Sequence, residues 1–387
     1  MKRGKSGTEE LAIVDGERVR AFIPAPLPPD PPLVLTGQLQ IHLEQALLAL
    51  GRLDSITTLL PDTSLFLYTY VRKEAVLSSQ IEGTQSSLSE LLLFELDEAQ
   101  GVPHADVAEV SRYVGAMEHG LSRIRAGFPV SNRLIREIHA ELLSGGRGSS
   151  KDAGHFRRSQ NWVGGNRPSD AVFIPPPPQS VEDCMGALER FLRAENPALP
   201  VLVRAGLAHV QFETIHPFLD GNGRVGRLLV TLLLCDAGIL RAPLLYLSLY
   251  LKQNRDEYYR LLTEVRQTGD WEVWLDFFLR GVRQTAESAV STAHRLMKIF
   301  EEDHGKAQKA GRGAGSALRV HGVLKERPLA TVQEAAHRTG LSFPAASAAM
   351  KLLVTIGVAR ELTGKKRNRL FAYDRYLKIL NEGTEPL

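Results

Sequence analysis

Twelve consecutive residues, 216–227, constrain this chain more than any other feature: His-Pro-Phe-Leu-Asp-Gly-Asn-Gly-Arg-Val-Gly-Arg, directly before an apolar run at 228–234. Glycines at 221 and 223 permit positive φ, so successive backbone N–H groups can converge on one anion. The helix predicted by the apolar run adds the positive end of its dipole. Arg224 and Arg227 then share one face of that helix's first turn. Two cations at a helix N-terminus are unfavourable unless an anion sits there. The stretch therefore predicts a phosphate site, with a proton acceptor, His216, and a carboxylate, Asp220, beside it.

Length and composition set the limits around this site. The chain has 387 residues and 43% hydrophobic content, enough to bury a sizeable core, and its length predicts two or three domains. The longest apolar run, at 228–240, is interrupted by Asp236 and too short to span a bilayer, and the basic residues at 2–5 are not followed by an apolar segment. A soluble, cytoplasmic protein with no membrane partner is expected. Cys184 and Cys235 fit no metal spacing and read as reduced thiols. The net charge of +3 is uneven: residues 316–387 hold 12 Lys+Arg against 6 Asp+Glu, a balance of +6, and the remainder carries −3. The basic character belongs to the C-terminal unit.

Along the chain, residues 1–35 read as a polar tail and a proline-rich strap over 22–33. Helical periodicity then dominates, so the chain is predicted to be mainly α. Helices are expected at 38–61 and 65–81, where Ser78-Ser-Gln-Ile-Glu82-Gly83 puts a glutamate at a helix C-terminus before a glycine stop. A carboxylate there opposes the dipole and needs a cation or full solvation. More helices are expected at 86–99, 106–126, 132–143, 181–194, 201–215, from the signature to 235, and at 255–268, 271–284 and 286–302. Between them, 161–165 and 171–174 read as two short strands around a turn, and 305–315, with four glycines, as a linker. The expected domains are 1–35, the strap; 36–104, an N-terminal helical region; 105–290, the core; 291–315, a helix end and linker; and 316–387.

The last of these looks like a winged helix-turn-helix. Helices at 317–325, 331–339 and 343–356, with Gly340 between the second and third, precede a hairpin at 358–373 whose tip carries Lys365, Lys366, Arg367 and Arg369. Such a wing favours phosphate contact with nucleic acid. The third helix offers Ser342, Ser347 and Lys351, but no Arg, Asn or Gln for bidentate base contacts, so DNA binding and protein docking or homodimerisation both stay open.

The 216–227 stretch resembles the signature of the Fic family, His-Pro-Phe-x-Asp/Glu-Gly-Asn-Gly-Arg-x-x-Arg, at every fixed position, and the resemblance covers roughly residues 36–290. It implies a Fic-type helical bundle with a small β-hairpin flap. The implied activity is that of a protein adenylyltransferase, moving AMP from ATP onto a Ser, Thr or Tyr hydroxyl of a target protein and releasing pyrophosphate. By the same resemblance His216 is the general base and Asp220 holds Mg²⁺. The amides around Gly221, Asn222 and Gly223 form an anion hole that continues into Val225 and Gly226, while Arg224 meets the β end and Arg227 the γ-phosphate. The nucleotide base would lie near Tyr258 or Tyr259, and Gln211 would face the phosphates. Ser78, Glu82 and Gly83 resemble the family's inhibitory motif, which would dock Glu82 on Arg227 in the γ-phosphate's place. The flap, with Trp162, Val163, Gly164, Phe173 and Ile174, would pair edge-on with the target's backbone. Two other readings are a DNA-binding transcriptional regulator whose Fic core senses nucleotide, and a metallohydrolase using His216 and Asp220. Retention of His216, Asp220 and both arginines disfavours the first, and the lack of a second ligand cluster at zinc spacing disfavours the second.

Overall fold

A computed structural model describes residues 1–59, 64–96, 104–145, 151–194, 199–365 and 368–386. The chain opens with an antiparallel hairpin, β1 (Gly7–Val14) and β2 (Glu17–Pro24), in register from Gly7 opposite Pro24 to Val14 opposite Glu17. This corrects the expected polar tail. Val14, Val19 and Ala21 make a small buried cluster with Ile174, against which Ala12 and Trp162 pack. The alternation behind it is short and interleaved with Glu10, Arg18 and Arg20, which mask the apolar face in the sequence.

The helical body begins with α1 (Gly37–Leu59), α2 (Ser64–Ile81), α3 (Leu88–Phe94), α4 (His104–Arg125) and α5 (Asn132–Leu142). The start of α3 is fixed by a capping box between Ser87 and Glu90, and that of α5 by the Ser131 side chain. The expected continuation of α3 to residue 99 falls outside the described residues. Next come α6 (Pro178–Leu192), α7 (Val201–Ile215), α8 (Asn222–Asp236), α9 (Ser248–Gln253), α10 (Arg255–Thr268) and α11 (Trp271–Gln308). Helices α7 and α8 are buried along nearly their whole length, so the loop between them emerges from the core rather than from the surface.

Helix α11 is a second correction, because the two helices expected at 271–302 are one helix of 38 residues that also takes in the first part of the expected linker. Its buried positions keep helical phase from Trp271 to Ala307, and that continuous stripe outweighs a glycine at 305.

The C-terminal unit comprises α12 (Ala314–Glu326), β3 (Leu329–Thr331), α13 (Val332–Thr339), α14 (Phe343–Thr355), β4 (Arg360–Glu361), β5 (Leu370–Ala372) and α15 (Asp374–Asn381), with its antiparallel sheet ordered β3-β5-β4. The three helices and the hairpin were expected; β3 and α15 were not. Gly340 turns the chain between α13 and α14 with φ +66°. Phe300 of α11, Tyr373 and Tyr376 pack ring to ring, so one apolar core runs through the bundle into this unit. No helix among the described residues is long and apolar enough to cross a membrane.

Candidate active site

Helix α7 ends on His216, whose φ of 49° puts a non-glycine residue in the left-handed region. That conformation costs on the order of 1–2 kcal/mol. Arg157 holds it in place. This arginine is 2% exposed; its Nε donates to the His216 carbonyl at 2.9 Å, its Nη2 to the Pro176 carbonyl at 2.5 Å, and its backbone N–H to the Pro217 carbonyl at 2.9 Å. Burial pushes the His216 imidazole down to about 4, against the opposing pull of the Glu213 backbone. The ring is therefore neutral at pH 7 and able to accept a proton.

Phe218 is fully buried and stacks on His139, centroid to centroid 3.7 Å. His139 Nδ1 accepts the Gly154 N–H at 2.9 Å, which leaves Nε2–H to donate to the Asp220 carbonyl at 3.0 Å. Asn222 closes the loop: its Oδ1 accepts the Phe218 N–H and its Nδ2 donates to the Phe218 carbonyl, at 2.9 and 2.8 Å. Gly221, at φ 76°, caps α8. Backbone N–H groups of Asn222, Gly223 and Arg224 thus open α8 on the side where an anion would sit.

Both signature arginines are buried and paired. Arg224 donates to Glu109 Oε1 at 2.5 Å and to Asp220 Oδ1 at 3.3 Å. Arg227, 3% exposed, donates from Nε to Ser78 Oγ at 2.9 Å, and from Nη2 to the Ser78 carbonyl at 2.9 Å and to Glu82 Oε1 at 2.6 Å. The Glu82 carboxylate lies over Gly223, so close that a Cβ added there would stand 2.2 Å from Oε1. Glu82 therefore fills the space directly beside the first turn of α8, and Gly83, at φ 99°, lets the chain turn away behind it. The Glu82 side chain keeps 35% of its surface exposed; the partial desolvation of its carboxyl acts to raise it, but Arg227 holds it below its ordinary value.

The remaining site residues are distributed as follows. Val225 is buried, and Gly226 faces Glu213, whose Oε1 would be 2.6 Å from a Cβ there. Tyr258 is a core residue: its hydroxyl meets His209 Nε2 at 2.9 Å, while His209 Nδ1–H donates to the Gly226 carbonyl at 3.0 Å. Tyr259 packs on it at 5.0 Å and is 38% exposed. Gln211 donates its amide to the Ala25 carbonyl at 2.9 Å, a contact with the N-terminal strap.

The flap is slighter than two strands. Among the described residues it has one antiparallel bridge, Val163 with Phe173, around a 3₁₀ turn at Pro168–Asp170, with Gly164 and Gly165 at positive φ. The paired strands expected at 161–165 and 171–174 are thus reduced to their centre, because consecutive glycines and prolines at 175–178 leave few residues able to extend a ladder. Trp162 packs on the small N-terminal cluster, and the Ile174 carbonyl accepts the Phe22 N–H of β2 at 2.9 Å. One backbone hydrogen bond thus ties the end of the flap to the N-terminal hairpin.

Asp220 suits a hard divalent ion in one respect: its carboxylate is 39% exposed, and a single oxygen donor supplemented by phosphates and water is a set that Mg²⁺ accepts. Among the described residues no three His, Cys, Asp or Glu side chains converge as a protein-made metal cage.

The profile described as Fic/DOC family N-terminal matches residues 41–122, and the Fic/DOC family profile matches residues 129–234. Over these segments the chain belongs to the Fic/DOC family. It is 31% identical over 265 residues to "Protein adenylyltransferase Fic" of Culex quinquefasciatus, covering 62% of this chain and 49% of that one. It is 30% identical over 317 residues to the protein of the same name from Aedes aegypti, covering 74% and 59%. The Fic match thus spans only about half of these relatives' length. Among solved structures, a Fic family protein from Desulfovibrio desulfuricans G20 superposes with a TM-score of 0.58 at 20% identity, covering 88% of this chain and 97% of that one. A Fic domain containing signaling protein from Bacteroides thetaiotaomicron VPI-5482 gives 0.51 at 20% identity, covering 65% and 95%. These likenesses establish a Fic fold.

Proposed function

We propose that the chain is a protein adenylyltransferase, transferring AMP from ATP to a Ser, Thr or Tyr hydroxyl of a target protein, and that Glu82 holds it inactive. The observation that carries this reading is the Glu82 carboxylate on Arg227, over Gly223, where the opening turn of α8 is built to hold an anion. A neutral His216 at the rim takes the proton of the attacking hydroxyl. The hydroxyl oxygen bonds to the α-phosphorus as the bond to the departing pyrophosphate breaks, and Arg224, Arg227 and the amides of α8 spread the charge. Asp220 would hold Mg²⁺, which offsets phosphate charge when bound. Tyr259, the exposed member of the pair, is our candidate to face the nucleotide base, and Gln211 would reach the phosphates only on releasing Ala25. The names of the insect relatives support the class of reaction.

Transfer from ATP labelled at the α-phosphate, compared with the γ-phosphate, tests the reaction. In a Glu82→Gly background the α label should enter protein and the γ label should not. Replacing His216 by Ala should cut the rate roughly 10²- to 10⁴-fold with little change in ATP affinity. Incorporation of the γ label, or undiminished transfer by folded His216→Ala protein, contradicts the assignment.

A further inference from the structure

Behind the Glu82 contact, the end of the C-terminal unit grips the helix that carries the glutamate. Gln80, two residues before Glu82, is 1% exposed. Its Nε2 donates to the carbonyls of Thr384 and Ser86, at 2.8 and 2.9 Å, and its Oε1 accepts from Lys252 Nζ at 2.7 Å. Lys252, on α9, also reaches the Glu385 carbonyl. Lys73, two turns earlier on α2 and 2% exposed, donates to the Glu382 carbonyl at 2.8 Å. Three carbonyls of one short segment are thus received by side chains of α2 and α9.

That segment is itself anchored to the rest of the chain. Glu382 makes a two-pronged pair with Arg295 of α11, both contacts at 2.6 Å, and Thr384 is 2% exposed. Asn381, the last residue of α15, donates to Ser89 Oγ at 3.0 Å. Gly383, at φ 80°, lies so close to Leu249 that a Cβ would stand 2.8 Å from its Cδ1. Burying an ammonium or amide that lacks an acceptor is costly, so withdrawal of the segment would leave Gln80 in the last turn of α2, Lys73 two turns before it and Lys252 on α9 each short of one acceptor. The helix end would have to rearrange to hydrate them. Ser78 and Glu82, which hold Arg227, lie on either side of Gln80 within that turn.

We propose that residues 382–385 act as a clamp that fixes the last turn of α2 and so sets the strength of the Glu82–Arg227 contact. The clamp gives the C-terminal unit, through α15, a direct route to the nucleotide site. The inference rests on the reading of Glu82 as the inhibitory group.

The test uses the full chain and two clamp variants: Gln80→Met, which keeps length and packing but removes three hydrogen bonds, and truncation after Asn381. Each is made with Glu82 present and with Glu82→Gly. Binding of a fluorescent N-methylanthraniloyl ATP with Mg²⁺ is measured beside AMP incorporation from α-labelled ATP. With Glu82 present, each clamp variant should raise nucleotide affinity and initial rate about fivefold or more, the size of one or two lost hydrogen bonds. In the Glu82→Gly background neither should change them further. An unchanged affinity in the folded Gln80→Met protein overturns the clamp, and this variant decides should the truncated chain fail to fold. An equal change in both backgrounds also overturns it, since the segment would then be general packing. If Glu82→Gly alone alters neither binding nor transfer, the inhibitory reading itself fails, and the clamp fails with it.

Discussion

Glu82 and Arg227 lie 145 residues apart in sequence, and each answers a charge that the other leaves exposed. A glutamate ending a helix lacks a local cation, and an arginine opening one lacks an anion; both needs are visible in the sequence. The groups that support them are not. Glu109 finds Arg224 from 115 residues away, and Arg157 and His139 act on backbone carbonyls, so no spacing marks them. Glu213 is equally silent, although burial pushes its carboxyl up to about 7 beside Gly226. His216 yields a prediction at this scale. Burial holds its imidazole near 4, below the ordinary value, so the base form persists as pH falls and is lost only on protonation near that lower value. The Glu82→Gly variant should keep a flat kcat/KM from about pH 8 to about pH 6, instead of declining around the unperturbed histidine value of about 6.5. An acid limb centred at about 6.5 that persists when Glu213, whose carboxyl titrates near 7, is replaced by Gln contradicts the burial account.

Among the elements, long helices with an apolar stripe were legible almost to their ends: α7 and α10 have the expected boundaries, because proline at 200 and glycine at 269 punctuate them. The short pieces were not. The six residues of α9 and the three-residue strand β3 are too brief to show a period, and β1 and β2 hide theirs among charges. Glycine is most deceptive at α11, where Gly305 suggests a linker and instead lies inside the helix, with open space where a Cβ would stand. Gly305→Ala should therefore stabilise the protein by about 0.5–1 kcal/mol, through the smaller entropy lost on folding. Thermal unfolding followed by circular dichroism checks this; a lower Tm would contradict the continuous helix.

At the scale of the molecule, the sequence marked a basic C-terminal unit but not how much of its charge is spent internally. Arg338 pairs with Glu326, Arg360 with Asp374, and Arg369 with Glu361 and with Ser347 Oγ. Lys366 and Arg367 of the expected basic tip lie outside the described residues. If the wing contacts DNA phosphates, replacing Lys365 and Arg369 by Gln should weaken binding on all sequences alike, and should flatten the salt dependence by about one unit of slope per lost contact. Absence of retention on DNA at low salt contradicts the phosphate contact and favours the protein-docking or homodimerisation reading.

The central claim, that the Glu82–Arg227 contact stands in the place of bound nucleotide and keeps the site off, is tested most directly by AMP incorporation from α-labelled ATP at saturating nucleotide, wild type beside Glu82→Gly. Misplacing a reacting group by about an ångström can cost roughly 10²-fold, so the variant should exceed the wild type by up to about that factor. Adding Arg227→Ala to Glu82→Gly should lower the rate again, because in the proposed reading Arg227, which holds Glu82 in the closed site, holds the nucleotide phosphates once Glu82 is gone. Equal incorporation by wild type and Glu82→Gly would show that Glu82 only ends a helix.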